Sequence, residues 1–367
     1  MAHIAIDARI INSSTGRYVE RLITHLQDVD HKNQYSILVR KKDVDFWKPR
    51  NANFTVRVAD FDNYSFGEQL GFNGFLRKLS PDLVHFCMPQ QPIRYKGNSV
   101  TTFHDLTLLK TYNSDKNWLI YRAKQLVGKK VFKKVTENAN HIIAVSNFTK
   151  NELQSYFPVP DEKISVIYES SDVATVAPKK YSLPFKQYIL YVGQQSDYKN
   201  VKRLGDAHQL LLAKYPKLGL VLAGKKNAAA TANETYFNNR NYKNIIFTDF
   251  VEDAHLSWLF SHAQAYVFPS LMEGFGLPGL EAMEHGTPVV SSNATCLPEV
   301  YGQAAHYFNP TDTSDIAEAI EQVLSNDKLR TRLSRAGYKQ VKKYSWKKMA
   351  QQTHKVYLDA LKSQTKS

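Results

Sequence analysis

The sequence predicts an α/β fold of parallel sheets covered by helices, divided over two domains. Three observations lead there. Short apolar runs alternate with longer helix-like stretches along most of the chain, the pattern of repeated βαβ units. A second series of this kind opens near Tyr188, after a Pro-containing stretch at 177–184. The chain has 367 residues, 43% of them hydrophobic. That is more than a single core usually organises and enough for two. The junction is therefore placed at 180/181, giving a first domain over 1–180 and a second from 181 to about 345.

The elements follow in order. The run at 4–7 reads as a strand, followed by a helix from Arg17 to about Leu26. Apolar runs at 82–86 and 99–103 read as strands, and so does 142–145, ahead of a helix over 148–156. In the second series a strand at 188–192 precedes a helix over 201–214. Strands at 218–223 and 245–247 follow, and the apolar run Ala265-Tyr266-Val267-Phe268 reads as another buried strand. Beyond it lies a glycine-rich turn and a helix with Pro278 near its start. Gly286 is placed to end that helix, with His285 in its last turn. Ser146 is expected to cap the helix at 148–156. Asn200 is expected to cap the helix that starts at Val201.

Composition narrows the function classes. The N-terminus enters a strand-like run at His3, with no basic-then-apolar leader, and no apolar run approaches eighteen residues. Cys87 and Cys296 are far apart and carry no paired spacing. A disulfide framework is not expected, which suits a reducing, cytoplasmic setting. The net charge of +14 is spread over both halves of the chain. It points to anionic partners, with a well-solvated basic surface as the other reading.

The most informative segment runs from Glu273 through Gly274, Phe275, Gly276, Leu277, Pro278, Gly279 and Leu280 to Glu281. It places one carboxylate in a loop beyond a strand end and a second on the first turn of the next helix. Flexible backbone amides and a positive helix end lie between them. Such a set suits an anion flanked by hydroxyls, with amides and helix dipole on phosphates and carboxylates on sugar. A glycine-punctuated connection with Glu281 favouring the helix N-terminus is the alternative. Three further places stay open in the same way. Gly16, in the loop 13–17 after the first strand, permits close backbone approach to a ligand or simply belongs to a capped loop. His104 at a strand end suits hydrogen bonding to a sugar hydroxyl, or a local pair with Asp105. Lys199 before a helix suits a diphosphate, or is an exposed loop lysine.

The run from Phe268-Pro269-Ser270-Leu271-Met272-Glu273 to Glu281 resembles the paired-glutamate signature of the family-4 retaining glycosyltransferases. The resemblance continues through Ala282 to Val290 and Leu297-Pro298-Glu299-Val300. The segments at 4–22, 104–106, 144–146 and Tyr191-Val192-Gly193 to Asn200 fall in the same order. It implies GT-B architecture, two Rossmann-like domains facing a central cleft, with a C-terminal helix (346–367) crossing back to the first domain. It also implies a retaining transfer of a hexosyl, and specifically a mannosyl, unit to a hydroxyl of a glycan or lipid-linked acceptor in cell-envelope polysaccharide synthesis. The donor is a nucleotide sugar, GDP-mannose or similar.

The resemblance assigns site residues too. His104, Lys199 and Glu273 form the catalytic set. Gly16, Gly193, Lys199, the amides of Gly274, Phe275, Gly276 and Leu277, and the Glu281 carboxylate hold the donor. Two departures stand out. The chain lacks the family's second glycine near Gly16. It also has Gln194 and Tyr198 where the family places an arginine, leaving Lys202 or Arg203 as substitutes. No resident cofactor or metal is expected. The nearest acidic pair, Asp43-Val44-Asp45, sits in a polar, surface-like segment, and lysine plus helix dipole can supply the positive field. Glu273 as a nucleophile is chemically conceivable, but the family reading is front-side substitution with Glu273 on sugar hydroxyls.

The rival readings are a GT-B phosphorylase or epimerase, and a non-catalytic sugar-nucleotide-binding relative. A nucleic-acid partner is not expected, since no aromatic-basic reading motif is present. Residues 116–134 hold seven basic residues and no acidic one. On a helical wheel Ile120, Ala123, Val127 and Val131 form one stripe expected to pack inward. Arg122, Lys129 and Lys133 lie opposite, with Trp118 and Phe132 nearby. Such a helix suits an anionic membrane surface, on the inner face for a cytoplasmic protein. A solvated basic face is the alternative.

Overall fold

The structure is a computed structural model that describes residues 1–13, 15–63, 65–111, 118–172 and 176–364. Ser14 of the loop at 13–17, and Lys116 and Asn117 of the basic stretch, lie outside the described residues. The chain divides into two compact units. Unit 1 comprises Met1–Leu109, Ala123–Glu169 and Ser345–Ser367, and unit 2 comprises Lys110–Arg122 and Ser170–Tyr344.

In chain order the first unit's elements begin with β1 (His3–Asp7), α1 (Gly16–Val29), β2 (Gln34–Val39) and β3 (Phe54–Val58). After these come α2 (Asn73–Leu79), β4 (Leu83–Phe86), β5 (Ser99–Phe103), α3 (Thr107–Lys110) and α4 (Trp118–Asn138), the last belonging to this unit from Ala123 on. The series closes with β6 (His141–Ala144), α5 (Asn147–Tyr156) and β7 (Ile164–Val166). Among the described residues they build a seven-stranded sheet of order β3-β2-β1-β4-β5-β6-β7, parallel throughout. Chain order reverses between β1 and β4, so the C-terminal ends of these strands form a switch point, where doubly wound sheets carry their sites. The helix α1 buries Tyr18, Val19, Leu22, Ile23 and Leu26 at helical spacing. Ser146 caps α5 as expected, accepting from the Thr149 amide at 3.1 Å.

The helix α4 presents inward a face that only partly matches the one expected. Tyr121, Gly128, Phe132 and Val135 are buried and Val131 packs on the core as expected, whereas Ala123 and Val127 are exposed; the Ile120 side chain lies outside the described residues. The cause is local. A Cβ at Gly128 would stand 2.6 Å from Leu108 Cδ2, so the helix descends onto Leu108 at its glycine. Phe132 meets the Phe103 ring edge-on at 5.5 Å. These contacts rotate the 123/127 stripe outward. Nor is Asp43 on the surface: it is buried and its Oδ1 accepts from Asn12 Nδ2 at 3.0 Å.

Unit 2 repeats the plan. It runs β8 (Gln187–Val192), α6 (Val201–Leu211), β9 (Leu218–Ala223), α7 (Ala228–Asn239), β10 (Ile245–Phe247), α8 (Asp253–His262) and β11 (Ala265–Phe268). It continues with α9 (Leu277–Glu284), β12 (Val289–Ser292), α10 (Leu297–Tyr301), β13 (Ala305–Phe308), α11 (Thr313–Ser325) and α12 (Asp327–Val341). The sheet order is β10-β9-β8-β11-β12-β13, parallel throughout, with its switch point between β8 and β11. The helix α6 is shorter than the 201–214 expected, since beyond Leu211 the chain tightens into turns. The last helix, α13 (Trp346–Gln364), belongs to unit 1. It packs on α1 and is pinned where Tyr357 Oη meets His85 Nδ1 at 2.6 Å.

Candidate active site

The switch point of unit 2 explains why Lys199 and Glu273, 74 residues apart, meet. Lys199 lies beyond the C-terminal end of β8 and Glu273 beyond that of β11, and these strands are neighbours. Lys199 Nζ donates to Glu273 Oε1 at 2.7 Å, with side chains only 17% and 12% exposed. Burial alone pushes the lysine pKa down. The carboxylate beside it more than reverses this, helped by Tyr198 and Tyr191, and the ammonium titrates above its usual range.

The backbone around the pair is held on both sides. Leu271 N donates to Tyr198 O at 2.8 Å, lacing the two strand-end loops together. Asn200 occupies the position before α6 but does not cap it. Its backbone is left-handed, φ 60°, and its side chain donates to the carbonyls of Pro269 at 3.0 Å and Pro310 at 2.7 Å. Thr295 Oγ1 accepts from the Glu273 amide at 3.3 Å and Cys296 Sγ donates to Glu273 O at 3.3 Å. Tyr301 Oη donates to Gly276 O.

Gly276 stands at φ 95° before α9, and a Cβ there would lie 2.6 Å from Tyr301 Oη. Glycine is required on both counts. Because glycine has no side chain to cap with, the α9 start has no side-chain cap. Backbone N–H groups at such a start suit an anion. Glu281 sits on the second turn of α9, not the first, because the helix begins at Leu277. It is half-buried. Gly193 closes β8 at φ 138°, and its amide donates to Ala223 O at 2.9 Å.

Both candidates for the place of the missing arginine already have partners. Arg203 Nη1 is committed to Asn200 Oδ1 at 2.8 Å and Pro310 O at 3.0 Å. Lys202 Nζ lies 3.8 Å from Asp197. Gln194 is exposed.

Within unit 1, His104 follows β5, and its partner is not Asp105. The Asp105 carboxylate accepts from the Thr107 amide at 2.8 Å. His104 Nδ1 instead lies 2.9 Å from Glu169 Oε1, and Nε2 lies 3.0 Å from Cys87 O. Burial pushes the imidazole pKa down, and the Glu169 carboxylate outweighs it, leaving the net direction upward. A Cβ at Gly16 would lie 1.9 Å from Ile11 O, so the close approach its glycine allows is to the chain's own backbone. Among the described residues no group of three or more His, Cys, Asp or Glu is placed to hold a metal ion.

Residues 15–174 match the model of Glycosyltransferase Family 4 and residues 174–340 that of Glycosyl transferases group 1. The O-antigen chain mannosyltransferase B of Escherichia coli is 33% identical over 274 residues, covering 71% of this chain and 70% of that protein. The chain belongs to the family-4 glycosyltransferases.

Other similar proteins place this transferase in the same company. The O-antigen chain mannosyltransferase RfbU of Salmonella typhimurium is 28% identical, with 74% of this chain and 73% of that one covered. The serotype-specific mannosyltransferase WbdA of Escherichia coli is 28% identical over 93% of this chain, but the chain spans only 44% of its length. Among solved structures, the sucrose-phosphate synthase of Thermosynechococcus elongatus superposes with a TM-score of 0.78 at 18% identity, over 99% of this chain and 100% of that one. WaaG, a glycosyltransferase involved in lipopolysaccharide biosynthesis, gives 0.71 at 13% identity over 97% and 99%. The fold of the transferase is GT-B. Its class of activity is that of its family, a nucleotide-sugar-dependent, retaining transfer. Two residues at these sites escape a reading of the sequence, Glu169 and Tyr301. Each acts on a partner far away in the chain and carries no local motif.

Proposed function

We propose that the transferase moves a mannosyl unit, or a closely related hexosyl unit, from a nucleotide diphosphate sugar such as GDP-mannose to a hydroxyl of a cell-envelope glycan or its lipid-linked precursor. The observation that carries this is the largely buried Lys199–Glu273 pair at the unit 2 switch point, with Glu273 on the same loop as the uncapped start of α9. The relatives named as O-antigen mannosyltransferases support the sugar and the glycan. In this reading Lys199, which has two further N–H donors, and the α9 amides take the diphosphate. Glu273 keeps Oε1 on Lys199 and offers Oε2 to sugar hydroxyls. Glu281 binds the ribose. Gly193 lets backbone approach the donor, and His104 serves the transferred sugar. The leaving diphosphate helps deprotonate the incoming hydroxyl on the same face of the sugar. Lysine and helix dipole supply the positive field, so no divalent ion is needed.

The exposed face of α4 extends the proposal to an anionic membrane surface on the cytoplasmic side. Leu126 and Val127 are 66% and 62% exposed, beside the exposed Lys129, Lys130 and Lys133. Among the described residues no helix is long and apolar enough to cross a membrane.

A thermal-shift panel of nucleoside diphosphates and their sugars tests the donor. A ligand at a hundred times its Kd adds about 2.7 kcal/mol of stability. GDP and GDP-mannose are expected to shift the melting temperature most, and transfer to survive excess EDTA. A shift confined to another nucleotide would overturn the donor. Loss with EDTA and rescue by manganese would overturn the metal-free field.

A further inference from the structure

The His104 ring is held by two acceptors of different kinds. The Cys87 carbonyl at Nε2 can only accept, so Nε2 must carry a proton. The remaining nitrogen, Nδ1, lies 2.9 Å from Glu169 Oε1. A neutral ring would turn its lone pair on that carboxylate. The contact is a hydrogen bond only if a proton lies between the two atoms, and the imidazole, the more basic of the two groups, is the one to hold it. Glu169 is itself buried, and a buried carboxylate calls for a charged or donating partner.

The other groups around the ring do not disturb this arrangement. Tyr18 of α1 meets it edge-on at 4.8 Å between centroids, and Tyr18 Oη is occupied by Thr102 Oγ1 at 2.9 Å. His85 of β4 bonds Tyr357 Oη and Thr102 Oγ1. Burial and the nearby His104 push its pKa down to about 3, so it stays neutral. The Cys87 thiol is pushed up by burial and by Asp7. Asp105 adds negative field from the same strand end, and the ring's net pKa direction is upward. Thr149 Oγ1 donates to the His104 carbonyl at 3.2 Å, fixing the backbone beneath the ring.

We infer that Glu169 is a positioning residue that holds His104 as an imidazolium bonded at both nitrogens. His104 then serves transfer as a fixed positive charge, not as a proton donor or acceptor. The second statement rests on the role proposed for His104 above; the first does not.

Nitrogen-15 spectra of the imidazole side chains, with His104→Asn to assign the resonance, read the charge directly. In the parent, His104 is expected to carry both protons at pH 7.5. In Glu169→Gln, which keeps the shape and removes the charge, its titration is expected at least one pH unit lower. Transfer by Glu169→Gln is expected to match the parent near pH 5.5 and to fall about tenfold per pH unit above the lowered midpoint, while the parent stays flat to pH 7.5. A parent ring that is neutral at pH 7, or one that titrates alike in both proteins, overturns the hold by Glu169. A shifted titration with unchanged pH profiles overturns the use of the charge. If neither protein transfers sugar from any nucleotide donor, the functional reading fails, and the spectra still decide the role of Glu169. Should Glu169→Gln not fold, Glu169→Asp keeps the charge and is expected to keep the parent titration.

Discussion

At the scale of single residues, Lys199 and Glu273 depend on each other. Each is the main counter-charge of the other in a largely buried place, and removing one leaves a charge with nothing to balance it. Lys199→Ala and Glu273→Ala are each expected to lower stability by about 3 kcal/mol. The double substitution is expected to cost clearly less than the sum, because it leaves no orphan charge. Urea denaturation of the four proteins measures this, and additive losses would show that the pair is not coupled. The raised lysine pKa gives the sign with pH. The contribution is fully present below the unfolded lysine value of about 10.4 and is lost only as pH rises above it. At neutral pH the ammonium is therefore charged.

Elements hold these residues in place, and two of them give measurable consequences. The glycine-rich loop before α9 rests on Tyr301, whose ring also lies against Gly279, where a Cβ would come within 2.3 Å. Gly276→Ala meets a left-handed backbone and the Tyr301 hydroxyl together, and is expected to destabilise by about 1–3 kcal/mol. Adding Tyr301→Phe removes the hydroxyl clash and should recover part of that loss. If the double variant is as unstable as the sum of the singles, the clash is not the cause. The second element pair is α1 and α13. Asp30 follows α1, and His354 Nε2 of α13 lies 3.0 Å from Asp30 Oδ2. Burial pushes the Asp30 pKa up, but hydrogen bonds from Tyr35 and from the Lys32 and Asn33 amides outweigh it and bring it to about 2. A depressed carboxylate stabilises the fold above its unfolded value of 3.8 and loses that contribution as pH falls toward 2. Asp30→Asn should therefore flatten the acid limb of the stability curve between those values, as followed by circular dichroism. An unchanged acid limb would remove Asp30 from the account.

The whole molecule carries a net charge of +14, and α4 joins part of it to exposed apolar side chains. Three basic residues near an anionic bilayer supply about 1 kcal/mol each, and Leu126 and Val127 add apolar area. Sedimentation with vesicles is expected to require anionic lipid and to weaken as salt rises. It should weaken too in Arg122→Gln/Lys129→Gln/Lys133→Gln and in Leu126→Ser. Binding by the triple variant equal to that of the parent would mean that α4 is not the contact.

The sequence by itself determined the alternation of strands and helices, and with it two parallel sheets. It also determined the positions of the loop from Glu273 to Gly276 and of Lys199, because glycines, a helix-starting proline and apolar strands are local signals. What only the tertiary structure decided is which side chains meet. The switch point brings Lys199 to Glu273 across 74 residues, and β7 delivers Glu169 to His104 across 65. Asp105, the neighbour in sequence, turns to its own helix start instead. The inward face of α4 was decided the same way. Periodicity offered the stripe through Ala123 and Val127, but the helix rests on Leu108 at Gly128 and on the Phe103 ring at Phe132, and so it turned. Local propensity is written in nearest neighbours. Charge pairing and packing depend on distances that the chain acquires only once both sheets are formed.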